Sequence, residues 1–281
     1  MGWTNYHGHC DYCDGQGTIE DCIKKAIELK MDGIGISSHA PVPFPTDWTM
    51  PAYKLDNYLK EIEELKAKYA DQIDVYKALE VDYIPGLASP KHEKIVAANL
   101  DYCVGSVHYI GQMNDGTHWA VDAPADEFNK GLNETFNGDI KRAACRYYEL
   151  QREMLEQATP DIIGHMDKIK MHNLTFGLFD ENEQWYLDEV NKTLAVIKAK
   201  GVIVEVNTKA YYRDGHLFPG PEHFAKIKEL NIPITINSDA HHPDKLVNAF
   251  EEVEEMLLKA GFTHFVELVE GKWQEVAIAE A

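Results

Sequence analysis

The chain has 281 residues, 44% of them hydrophobic, enough for a large core and for either two small domains or one α/β barrel. No apolar run approaches the ~18 residues of a membrane-spanning helix, so no membrane partner is expected. With 47 acidic and 27 basic residues the formal charge is −20, and no Lys/Arg cluster offers a groove for nucleic acid. A small substrate is expected, and this field suits one carrying positive groups.

The start, Met1 to Tyr6, has neither the basic n-region nor the apolar h-region of a signal peptide, so a cytoplasmic protein is expected. Cys10, Cys13, Cys22, Cys103 and Cys145 are an odd, scattered set that makes no disulfide framework. Cys10 and Cys13 match C-x-x-C but lack the context of a redox helix or of a zinc ribbon, and read as packed thiols.

In chain order, Trp3–His7 is the first expected strand, followed by a helix over Thr18–Met31 that opens with the capping-box pattern Thr18-x-x-Asp21. Gly33–Ser38 is a short apolar strand. Pro41–Pro51 is a proline-rich loop whose Trp48 and Met50 are placed to cover a pocket. A helix over Tyr53–Tyr69 leads to a strand over Asp74–Val81, a short helix over Lys91–Asn99 and a strand over Tyr102–His108. Gly111–Asn137 shows no helix-length apolar pattern and reads as a long loop, a length usually reserved for function. Its Trp119 and Asp122 favour contact with substrate. Helices are expected over Asp139–Ala158, Glu181–Lys200, Pro221–Leu230 and Asp244–Ala260. Strands are expected over Asp161–His165, Val202–Asn207 and Ile234–Asp239, with a terminal one over Phe265–Val269.

Strand and helix alternate, and the strands are continuous apolar runs, as in a parallel sheet buried on both faces. Polar residues recur where these runs end: His7, His9, His39, Glu80, His108, His165, Asp239 and His241, with Asp14 on the first loop. In a closed (β/α) barrel such strand ends converge on one face, whereas the edges of an open sheet would keep them apart. His7 and His9, one residue apart on a strand, face the same side. Imidazoles and carboxylates gathered this way are metal ligands, imidazole suiting zinc, iron or nickel and carboxylate extending the choice to manganese. More than four such ligands imply more than one ion.

These residues resemble the polymerase and histidinol phosphatase (PHP) family of metal-dependent phosphoesterases. The resemblance rests on His7-x-His9 with Asp14-Gly15, Ser38-His39-Ala40-Pro41, Leu79-Glu80-Val81, Gly105-Ser106-Val107-His108, Gly164-His165-Met166-Asp167, Glu205-Val206-Asn207 and Ser238-Asp239-Ala240-His241, in that order along the whole chain. It implies a distorted (β/α)7 TIM-like barrel, a single domain over residues 1–281, holding two or three divalent ions of zinc, iron or manganese. By motif, His7, His9, Glu80 and Asp239 would hold the first ion; Glu80, His108 and His165 the second, with Glu80 bridging; Asp14, His39 and His241 the third. The chain departs from the family at Cys10, where Ser or Thr is usual.

Within the family, Gly105–Tyr109 followed by a long loop with Trp119 and Asp122 is similar to the histidinol-phosphate phosphatases of histidine biosynthesis. The implied reaction is hydrolysis of L-histidinol phosphate by a hydroxide that bridges two ions and is held by Glu80. Arg213 follows the sixth strand and can fork onto phosphate, with Lys209 and His242 as further candidates. The general acid stays open among Asp11, Asp14, His242 and a metal-bound water. Alternatives are another small phosphomonoester, an amidohydrolase, a nuclease, which the net charge disfavours, and a metal-binding module without turnover. Oligomeric state is left open.

Overall fold

Runs such as Gly33-Ile34-Gly35-Ile36 and Val202-Ile203-Val204 offer no polar face, so a sheet built from them must be covered on both sides. The computed structural model, which describes residues 2–278, covers them by curling the sheet into a barrel with helices outside. In chain order the elements are β1 (Thr4–Asn5), α1 (Ile19–Glu28), β2 (Gly33–Ile36), α2 (Leu55–Lys68), β3 (Asp74–Asp82), α3 (Glu93–Ala97), β4 (Tyr102–Ser106), β5 (Tyr109–Gln112), β6 (His118–Ala120), α4 (Ala125–Phe136), α5 (Ile140–Gln157), β7 (Ile162–Ile163), α6 (Asn173–Phe176), α7 (Gln184–Lys200), β8 (Ile203–Asn207), α8 (Tyr211–Asp214), α9 (Phe224–Glu229), β9 (Ile234–Asn237), α10 (Phe250–Lys259), β10 (His264–Val269) and β11 (Lys272–Ala277). No helix among the described residues is long and apolar enough to cross a membrane.

The main sheet has seven parallel strands in the order β1-β2-β3-β4-β7-β8-β9. Its two edges meet just beyond β1 and β9, where Gly8 bridges Ala240 and the His9 N–H donates to the Ala240 carbonyl at 2.8 Å. Asn5 reinforces this seam: its Nδ2 donates to Ser238 Oγ at 2.9 Å, and its Oδ1 accepts from the Ser238 N–H at 3.1 Å. Closure carries the ends of the first and last strands to the same point. The sheet is thus the TIM-like barrel that the strand ends imply.

Local chemistry accounts for several boundaries. The Thr18 hydroxyl accepts from the Asp21 N–H while Asp21 accepts from the Thr18 N–H, so the expected capping box opens α1. Two expectations fail. Gly111–Asn137 is not a loop: it forms the β5–β6 hairpin and α4. The apolar stripe of α4 is thin, Phe128, Leu132 and Phe136 one turn apart, and Gly131 completes it. A Cβ at Gly131 would lie 2.0 Å from the Trp119 ring, so glycine here is a packing choice, invisible as hydrophobicity. The last long helix starts at Phe250 rather than Asp244, because Ala249 takes a positive φ of 57° and breaks the turn. The terminal strand β10 pairs with β11, which the sequence does not suggest. This hairpin closes the N-terminal end of the barrel, where Trp273 packs edge-on against Tyr6 and the Leu268 N–H donates to the Tyr6 hydroxyl at 2.7 Å.

Candidate metal centre

At the opposite end, the C-terminal ends of the strands line a cup. Glu80 stands at its centre on β3, fully buried. Its Oε2 lies 3.2 Å from His7 Nε2, 3.6 Å from His9 Nε2 and 2.9 Å from His39 Nδ1. Its Oε1 lies 3.0 Å from His165 Nε2 and 3.7 Å from His108 Nε2, and accepts from the Ser106 hydroxyl at 2.6 Å. Asp239 adds a second carboxylate, with Oδ1 3.0 Å from His9 Nε2 and 3.8 Å from His7 Nε2. Asp14 stands at the rim, 3.3 Å from His241 Nε2 and 3.7 Å from His39 Nε2. Its loop folds back tightly through Gly15, where a Cβ would sit 2.4 Å from the Cys10 nitrogen.

Backbone strain helps aim these groups. His165 and Asp239 follow β7 and β9 with φ of 24° and 48°, a left-handed conformation that side chains with a Cβ seldom adopt. The turn points each side chain into the cup rather than along its strand.

Behind the inward-facing nitrogens stand further polar groups. His7 Nδ1 lies 2.6 Å from Glu205 Oε1, and His108 Nδ1 lies 3.0 Å from Asp82 Oδ1. Glu205 also accepts from Asn207 and Asn237, and Asn207 donates to Asp239 Oδ2 at 3.2 Å. Carboxylates behind imidazoles fix the tautomer and orient the ring for a metal ion.

Burial disfavours charge on Glu80, yet His7, His39 and His108 hold its carboxyl well below the usual range. Burial opposes charge on His108 too, but Asp82, Asp122 and Glu80 push it up to about 10. Burial, followed by His241 and His39, holds His9 well below the ordinary histidine value. Within the buried cluster, His7 Nε2, His9 Nε2, His39 Nδ1, Glu80 Oε2 and His165 Nδ1 have no hydrogen-bond partner. Unpaired polar atoms at this burial are costly, and most of these face one another across the cup. Donor atoms close enough to share an ion fall into three groups here: His7, His9 and Asp239; His39, Glu80 and His108; and His9, Asp14, His39 and His241. The donor set therefore fits more than one divalent ion.

A family model described as PHP domain matches residues 5–209. The chain belongs to the PHP family. A Deinococcus radiodurans protein named "Probable histidinol-phosphatase" is 27% identical over 264 residues, spanning 92% of this chain and 94% of its own length. The histidinol-phosphatase of Bacillus subtilis is 24% identical over 266 residues, spanning 87% and 96%. A crystal structure of histidinol phosphate phosphatase from Lactococcus lactis, complexed with zinc, L-histidinol and phosphate, shares the fold with a TM-score of 0.75. It is 20% identical, and the match covers 97% of this chain and 99% of that one.

In this PHP barrel the sequence-expected ligands His7, His9, Asp14, His39, Glu80, His108, His165, Asp239 and His241 all reach the cup. Their grouping differs from the expected one: His9 stands with both Asp239 and the Asp14 set, and His39 stands with Glu80. The expected substrate residues divide. Lys209 reaches the cup, with Nζ 3.2 Å from both Asp239 Oδ1 and His241 Nε2. Asp122 lies 3.9 Å from His108 Nε2. Arg213 stands at the mouth of the cavity above the cup, exposed and paired with Asp214. Two expected residues stand back from the cup. Trp119 borders the cavity, but its ring is 1% exposed and packed between Phe128, Phe136 and Gly131. His242 is half-exposed outside the cavity lining, and its Nδ1 accepts from the Asp244 N–H at a helical turn. Asp11 is likewise exposed and outside the lining. Trp48 does border the pocket, edge-on to His39 and stacked on Tyr109, while Met50 is core.

Sequence reasoning passes over Asp82 and Lys168, and quotes Ser106 and Glu205 in motifs without giving them a role. Asp82 is two residues from Glu80 on one strand, and so shares its face. Glu205 is a lone acid inside an apolar strand, a position that burial forbids unless something pairs with it. Lys168 is buried beside the cavity, with Nζ 3.7 Å from Asp122 Oδ2.

Proposed function

We propose that this chain hydrolyses L-histidinol phosphate to L-histidinol and phosphate, as a cytoplasmic enzyme carrying two or three divalent ions of zinc, iron or manganese. The single observation that carries the reading is the meeting of imidazoles and carboxylates around Glu80 at the floor of a cavity of about 800 Å³. That volume suits a small molecule, and the cavity wall has two characters. Lys168, Lys209 and Arg213 supply cations for a phosphate group. Trp48, Tyr109, Phe44 and His118, with Asp47, Asp122 and Glu127, supply aromatic and acidic surface for a leaving group that carries an amine and an imidazole.

The ions would be held by His7, His9 and Asp239; by His39, Glu80 and His108, with His165 beside Glu80; and by His9, Asp14, His39 and His241. Once bound, they supply an activated water and neutralise phosphate oxygens. The chain's own residues do the rest. Glu205 and Asp82 keep the Nδ1 protons of His7 and His108 turned outward, leaving Nε2 free. Lys209, held by Asp239, places an ammonium beside the reacting phosphate, where it stabilises charge in the transition state. The buried floor excludes bulk water from the reacting centre.

The test is phosphate release from a panel containing L-histidinol phosphate, simple alkyl and aryl phosphates and an amide ester, with metal content measured on the same sample. Release preferring L-histidinol phosphate and abolished by chelator is expected. Equal rates on every phosphomonoester would shift the reading to another small ester, and turnover of the amide alone would shift it to amidohydrolase chemistry.

A further inference from the structure

The imidazoles around the cup are steadied from behind by different partners. His7 and His108 set Nδ1 against the carboxylates of Glu205 and Asp82, and His241 sets its own 2.9 Å from the Asp239 carbonyl. His9 has a sulfur in this place: Cys13 Sγ lies 3.6 Å from His9 Nδ1. The same sulfur lies 3.6 Å from the Cys10 carbonyl.

An imidazole that offers Nε2 to an ion carries its proton on Nδ1, so toward His9 the sulfur accepts. The thiol's own proton is then free to point at the Cys10 oxygen, which also accepts from the Cys13 N–H at 3.1 Å. His9 Nε2 is buried without a hydrogen-bond partner, 3.0 Å from Asp239 Oδ1 and 3.6 Å from Glu80 Oε2. It also belongs to two of the donor groups, with His7 and Asp239 on one side and with Asp14, His39 and His241 on the other.

We propose that Cys13 is a positioning residue for the metal centre: its sulfur holds His9 in the tautomer and orientation that aim Nε2 at the junction between two ion sites. The inference rests on the metal-centre reading above. A neutral sulfur is a weaker acceptor than a carboxylate, so it raises the basicity of His9 less than Glu205 and Asp82 raise that of His7 and His108. His9 is thereby the least polarised of these ligands, and the ions it serves are held through the softest support.

The experiment compares Cys13→Val, which keeps the volume without the contact, and Cys13→Ser, which keeps an acceptor and a donor, with the native chain. Zinc affinity is read by competition with a chromophoric chelator in the absence of substrate, and occupancy by elemental analysis. Cys13→Val should weaken the ions served by His9 by about 10-fold, the low end for an outer partner of a ligand, with Cys13→Ser within about threefold of native. In turnover, kcat should fall more than KM rises, and cobalt-substituted protein should change its visible spectrum only in the Val variant. Native zinc affinity in Cys13→Val, or a Ser variant as weak as the Val variant, would overturn the proposal. Should the Val variant melt early, Cys13→Ala carries the same comparison. Because the chelator readout needs no substrate, a chain that behaves this way yet releases no phosphate would sink the phosphatase reading alone.

Discussion

The barrel is stoppered at both ends, in opposite ways. At the N-terminal end Tyr6, Tyr76, Tyr102 and Trp273 pack ring against ring, and their hydroxyls are spent on the backbone: Tyr102 donates to the Tyr6 carbonyl at 2.5 Å and Tyr76 to the Leu268 carbonyl at 2.6 Å. At the C-terminal end a buried layer is built from imidazoles and carboxylates, several of whose polar atoms have no partner among the described residues. The first layer stabilises by burying apolar area with its tyrosine hydroxyls hydrogen-bonded to the backbone. The second costs stability and is held in place by the rest of the fold. One end of the barrel secures the chain, and the other spends that security on chemistry.

The sharpest way to break this contrast is Glu80→Gln. Phosphate release in the presence of zinc should fall by at least ~100-fold, since even outer partners of ligands cost that much. The thermal midpoint of the metal-free protein should fall as well, because His7, His39 and His108 lose the ionised carboxylate they hold; a midpoint that rises would show the charge to be a net cost. Tyr102→Ala should act on stability alone, costing about 3–5 kcal/mol in urea unfolding for a buried ring, while folded protein keeps its zinc affinity. Loss of zinc at unchanged stability would show that the two ends are not separable. Asp82→Asn removes the charge behind His108 while keeping an oxygen that can accept, and should weaken zinc binding toward ~10-fold, the low end of about 10–100-fold, by chelator competition, with the melting midpoint little changed.

The smallest effect concerns pH and belongs to the stopper. Burial, followed by the charge of Asp32, pushes the Glu267 carboxyl on β10 up to about 7. Its folded value lies above the unfolded value of about 4.3, so folding favours the protonated form. The contribution is therefore complete below about pH 4.3 and is lost as pH rises through about 7. Urea midpoints of the native chain should decline across this window relative to Glu267→Gln, in which that component is absent. Parallel profiles would remove Glu267 from the account.

Some of the site is legible because the chain is an α/β barrel written plainly. His39, Glu80, His108, His165 and Asp239 each close an apolar run, and runs buried on both faces announce their ends. Glu205 is harder to read because it lies inside its run, where only the pairing with His7 across the barrel explains an acid. Trp119 is half-legible: an aromatic in a polar, glycine-containing stretch borders the cavity as expected, but the slot that Gly131 leaves for its ring is a packing relation no local pattern shows. Arg213 follows a strand as a phosphate ligand would and borders the cavity mouth, but its pairing there with Asp214 is not legible in the sequence.

From its own pattern of apolar runs and the polar residues ending them, the sequence determined the strand order along the chain, the barrel class and the candidate ligands, because burial and strand periodicity are local properties. Which ligand stands beside which, that Glu80 is central, that His9 is shared, and that β10–β11 plugs the far end were decided only when the barrel closed. Those relations join residues as far apart as His9 and Asp239. Only the seam between Gly8 and Ala240, which no local pattern encodes, brings the first and last strands together.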